Sequence, residues 1–110
     1  MWAVEVASLP TIDVVESHTA DGWRFQVTVT EGATRSTHEV TLSRAAHERL
    51  AGGTATPVSL VRESFLFLLE HEPKESILRV FDLPVIARYF PAYETEIRRR
   101  LTLPSSQESV

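Results

Sequence analysis

The sequence predicts an α+β domain, with a strand-rich N-terminal half and a helical C-terminal half. Three observations carry this. Apolar and polar side chains alternate with period two through residues 23–42, the pattern of strands with one buried and one wet face. The period changes at Ser43. A mostly apolar helix-length run then starts behind Thr56-Pro57, a cap followed by a proline suited to a first helical turn.

Taken in order, Ile12-Asp13-Val14-Val15-Glu16-Ser17 reads as a first strand and Asp21-Gly22 as a turn. Trp23, Phe25, Val27 and Val29 then alternate with Arg24, Gln26, Thr28 and Thr30. Glu31-Gly32-Ala33 is a second turn. Beyond it His38, Val40 and Leu42 share one face, opposite Arg35, Thr37, Glu39 and Thr41. Short turns join neighbours, so the expectation is a three-stranded antiparallel meander. Trp2, Val4 and Val6 alternate as well, making residues 2–8 the candidate for a fourth, edge strand.

Ser43 is placed to cap a short helix over about 44–51, turned inward at Ala46 and Leu50 and stopped by Gly52-Gly53. The helix over 57–70 carries Leu60, Val61, Ser64, Phe65 and Leu68 on one face, with Leu66, Phe67 and Leu69 round the rest. Apolar on nearly all sides, it needs cover from more than one element and is expected to be the central helix. Three short helices should follow: one opened by Pro73 and holding Ile77, Leu78 and Phe81; one capped by Asp82 and holding Val85, Ile86, Tyr89 and Phe90; and one opened by Pro91 that runs to about Leu101. In the last, Glu94 precedes Arg98 by four residues and Glu96 precedes Arg100 by four, pairs worth roughly 0.2–0.5 kcal/mol each when exposed. The Ser-, Gln- and Glu-rich residues 104–110 read as a disordered tail to a single domain over 1–103.

A chain of 110 residues with 43 % apolar side chains can bury a sizeable core. It has no cysteine, which excludes disulfides, thiol nucleophiles and cysteine-held zinc or iron–sulfur sites. The formal charge of −4 argues weakly against a nucleic-acid surface. The N-terminus lacks the basic start of a signal peptide, and the run Ser64–Leu69 is too short to span a bilayer, so the expectation is a cytoplasmic protein with no membrane partner.

The residues that carry chemistry form no catalytic pattern. His18, His38, His47 and His71 have neither HExxH spacing nor a four-residue helical spacing, so no metal site is expected. His38, on an apolar strand face, reads as a hydrogen-bonded buried histidine; His47 and His71 read as helix-surface residues. No serine sits in a nucleophile elbow, and Gly52-Gly53 is not a phosphate loop, so no cofactor is expected. Glu70, Glu72 and Glu75 gather with His71 and Lys74 at a helix junction and read as a solvated charge cluster. Arg79, Arg88, Arg98, Arg99 and Arg100 are candidates for a basic patch, against the plainer reading of helix ion pairs. Trp23, Phe65, Phe67, Phe81, Tyr89, Phe90 and Tyr93 are divided between core and a candidate aromatic groove.

Two resemblances enter here. The string Pro57-Val58-Ser59-Leu60-Val61, Ser64-Phe65-Leu66-Phe67-Leu68-Leu69-Glu70, Glu72–Arg79, Phe81–Pro91 and Tyr93-Glu94 resembles a family of short, uncharacterised bacterial proteins with a β-rich first half and a helical second half. It covers residues 35–100, and it implies a bacterial source and a shared fold but no catalytic residues. Glu39-Val40-Thr41-Leu42-Ser43, followed by helices at 44–51 and 57–70, is similar to ribbon-helix-helix DNA-binding proteins. That likeness implies base reading by the outward Arg35, Thr37 and Thr41 on paired strands of two subunits. Glu39, which would face the DNA, and the preceding hairpin depart from the pattern. The expected function is therefore a non-catalytic binding module for a protein partner or a second copy, where Leu66, Phe67 and Leu69 would be covered. The alternative is a nucleic-acid-binding regulator.

Overall fold

The computed structural model describes residues 10–102. Strands β1 (Thr11–His18), β2 (Gly22–Glu31) and β3 (Thr34–Ser43) form the expected antiparallel meander. A fourth strand is present, but it is β4 (Val80–Asp82), which lies parallel to β3 and gives the order β1-β2-β3-β4. The edge strand expected over 2–8 and the tail expected over 104–110 lie outside the described residues.

Alternation in β2 and β3 resolves as the sequence implies. Phe25, Val27, Val29 and Val40 are fully buried and Leu42 nearly so, whereas Arg24, Gln26, Arg35, Thr37 and Glu39 are exposed on the opposite face. Gly22 is the first residue of β2 as well as the end of the turn. A Cβ there would lie 2.1 Å from the Leu42 carbonyl oxygen, so only glycine lets β3 come this close. The Thr19 hydroxyl accepts from the Gly22 N–H at 3.0 Å and closes the turn.

The helices α1 (Arg44–Ala51) and α2 (Pro57–His71) start where the caps place them. Ser43 Oγ accepts from the Ala46 N–H at 3.1 Å, and Thr56 Oγ1 from the Ser59 N–H at 3.1 Å, each satisfying a free first-turn donor. Gly52 ends α1 in the left-handed region at φ 57°, and its N–H donates to Glu48 O. Helix α2 packs against β1, α1 and the last helix, as its apolar girth demands, and buries Leu60, Val61, Ser64, Phe65, Phe67 and Leu68.

The chain after α2 departs from expectation. Pro73 opens only a 3₁₀ turn, Lys74–Ser76, and residues 77–82 are extended up to and through β4. The second edge of β3 would otherwise leave backbone groups unpaired. The Glu39 N–H donates to Arg79 O at 2.7 Å and fixes the register Glu39↔Val80, Val40↔Phe81, Thr41↔Asp82. Asp82 does not cap a helix. Its carboxylate accepts from the Thr41 hydroxyl at 2.7 Å, tying β4 to β3. A second 3₁₀ turn, Leu83–Val85, leads into the single-turn α3 (Ile86–Tyr89), and α4 (Tyr93–Thr102) begins two residues after Pro91. Among the described residues the helices cover the sheet face that carries Phe25, Val27, Val40 and Leu42, and none covers the opposite face. Among the described residues no helix is long and apolar enough to cross a membrane.

Candidate functional site: an apolar groove beside the central helix

The C-terminal half of α2, the extended residues 77–81 and α3 enclose a groove of about 370 Å³. Leu68 of α2 and Glu72, the residue that follows the helix, line one wall. Ile77 and Phe81 form the floor, and Val85, Ile86, Tyr89 and Phe90 form the other wall. The sequence puts these side chains together through two irregularities. The short α3 ends after Tyr89, and the 3₁₀ turn after Pro73 throws Leu78 outward. Leu78 is 46 % exposed and Tyr89 64 %, large side chains that the described residues leave uncovered. Of the aromatic side chains divided between core and groove, Phe81, Tyr89 and Phe90 belong to the groove, whereas Phe65 and Tyr93 are fully buried.

The apolar surplus sits elsewhere than on Leu66, Phe67 and Leu69. Phe67 is buried under Phe90 and Tyr93, with ring centroids 5.8 and 5.5 Å away, and the Arg100 guanidinium lies 5.6 Å from its ring. Leu66 and Leu69 are half-buried. Tyr89 is the last residue of α3, in a helix as expected, and its side chain is exposed on the rim.

Each histidine has a local occupation. The buried His38 receives the Ser36 hydroxyl at 2.8 Å on Nε2 and donates from Nδ1 to Leu78 O at 2.8 Å; a carbonyl can only accept, so Nδ1 carries the proton. Burial depresses its pKa, and Arg79 adds to the effect against the opposing pull of the Leu78 carbonyl. This bond also anchors the backbone of Leu78 at the groove. His47 Nε2 donates to Ala55 O at 2.8 Å, and its ring stands edge-on to Trp23 at 5.2 Å. His18 lies 3.2 Å from Glu16. His71 packs on Phe67 and Phe90, at 4.6 and 5.1 Å. Among the described residues no group of three or more His, Asp and Glu side chains is arranged to hold a metal ion.

The charge cluster at the helix junction is not wholly solvated. Lys74 is 3 % exposed, and its amine donates to Thr34 Oγ1 at 2.5 Å and to Glu75 at 2.7 Å, with Glu31 at 3.7 Å. It pins the β2–β3 turn to the 3₁₀ turn, and its hydrogen bond holds the Glu75 carboxyl below the usual range. Nothing local marks this lysine as buried, because its partner Thr34 lies forty residues away.

Arg98, Arg99 and Arg100 are engaged within the fold. Arg98 lies 3.4 Å from Glu94, Arg99 2.7 Å from Glu96, and Arg100 2.8 Å from Glu96 and 2.6 Å from Glu70. The hydrogen bonds from Arg99 and Arg100 bring Glu96 down to about 2. Arg88 is exposed on α3, apart from these pairs. Arg35, Thr37, Glu39 and Thr41 share the open sheet face, as alternation requires. That face also holds a depression of about 410 Å³ between Val15 and Val80, and an Arg24–Glu39 ion pair of 3.2 Å crosses it.

No family model matches the sequence, and comparison with curated proteins and with solved structures gives no significant match.

Proposed function

We propose that the protein is a non-catalytic binding module whose apolar groove receives a protein surface, from a partner or from a second copy. The observation that carries this is the pair of exposed rim residues, Leu78 and Tyr89, over a floor of Ile77 and Phe81. Protein interfaces have such an apolar centre, enriched in aromatic side chains. Support also comes from the polar residues, whose hydrogen bonds and ion pairs serve the fold. The ribbon-helix-helix alternative requires β3 to be free to pair with its copy in another chain. Here Glu39–Thr41 are bonded to β2 on one side and β4 on the other, which counts against it.

The test is a photo-crosslinking phenylalanine analogue at position 89, used in the native cell, with light scattering of the purified chain beside it. A specific crosslinked protein, or a dimer, should appear and be lost in Leu78→Glu. A monomer that captures nothing dependent on Leu78 would refute the proposal.

A further inference from the structure

The groove has one charged group in its lining, and among the described residues that group has no side-chain partner. From residue 70 to residue 102 the carboxylates of Glu70, Glu75, Glu94 and Glu96 are all in ion pairs, and Asp82 accepts from Thr41. Glu72, half-buried in the groove wall, has no ion pair or side-chain hydrogen bond among the described residues. It follows directly on the last turn of α2, whose carbonyl oxygens make that end of the helix negative. The two effects add, so the groove favours positive charge beside Glu72.

Resting on the groove reading above, we infer that the occupant is a peptide segment of a partner protein that sets large apolar side chains on Ile77, Phe81 and Tyr89 and places a lysine or arginine against Glu72. A small-molecule site would enclose its ligand and converge several polar groups on it. This groove instead is open along its rim at Leu78 and Tyr89, and its lining has few polar side-chain groups, those of Glu72, Ser76 and the Tyr89 hydroxyl, which suits a chain passing across it.

A displayed random-peptide library panned on the full chain, with Leu78→Glu as counter-selection, tests the inference. Enriched peptides should combine two or more large apolar residues with a basic one. A synthetic consensus peptide should bind Glu72→Gln roughly fivefold more weakly, the scale of one partly exposed ion pair. The same peptide with norleucine in place of its basic residue should bind wild type and Glu72→Gln alike. Neutral or acidic consensus peptides, or no effect of Glu72→Gln, would overturn the charge inference and leave the groove reading standing. No peptide that Leu78→Glu rejects would overturn both. A concentration-dependent dimer abolished by Leu78→Glu would replace the partner segment with a second copy.

Discussion

Ser64 and Tyr93 are both fully buried, and their hydroxyls lie 2.7 Å apart. Ser64 donates its one proton to Leu60 O at 2.8 Å, so Tyr93 must be the donor to Ser64. Burial raises the Tyr93 pKa against the opposing effect of the Ser64 bond, and the group stays protonated. The two truncations should therefore differ. Ser64→Ala strands a buried O–H and should cost about 1–3 kcal/mol, while Tyr93→Phe removes that donor and should cost about 0.5–1.5 kcal/mol. The double variant should be close to Tyr93→Phe alone, as read from urea midpoints. The sequence marks Ser64 as a small residue for close packing. It cannot show the bond, because the partner is 29 residues away. His38 gives a second prediction at this scale. Above its ordinary value of 6.5 the imidazole is neutral in both folded and unfolded chains. Below it the unfolded chain takes up a proton that the buried ring resists, so this site's contribution to stability falls as pH falls. His38→Gln should show a shallower loss of stability between pH 6.5 and about 5 than wild type, by denaturant titration at each pH.

At the scale of elements, local chemistry sets the helix starts and the meander, and those are legible. Ser43, Thr56, Pro57 and Gly52 each act on backbone groups within four residues, and side-chain alternation in β2 and β3 reports burial directly. Thr56→Ala should cost about 1 kcal/mol of stability through loss of the cap. Gly22→Ala should cost more, about 2–3 kcal/mol, because the new methyl group meets the Leu42 carbonyl and must push two paired strands apart; amide exchange along both strands should quicken with it. What is not legible is β4. Its three residues carry too little pattern to outweigh the helix signal of Pro73, Ile77, Leu78 and Phe81. The demand that makes them a strand is the open edge of β3, set forty residues earlier. The groove shares this opacity, since its rim exists only because the segment is extended there and α3 is a single turn.

On the scale of the whole molecule, the ion pairs link helices that the sequence shows as separate: Arg49 of α1 to Glu94 of α4 at 2.6 Å, and Arg100 of α4 to Glu70 of α2 at 2.6 Å. Each pair has one substantially exposed partner, Arg49 and Glu70, so the network guides packing more than it holds the fold. Raising sodium chloride from low concentration to 1 M should change the unfolding free energy by less than about 1 kcal/mol. The apolar core is one cluster that runs from Phe25 of β2 to Ile97 of α4.

The late arrival of β4 in the sheet bears on how the chain reaches its native state. A ribosome must release some forty residues beyond β3 before that strand gains its second neighbour and the His38 ring finds its carbonyl. The two halves of the polypeptide share one apolar core, so cleavage in the Gly52–Thr54 loop should yield fragments that regain structure only when mixed.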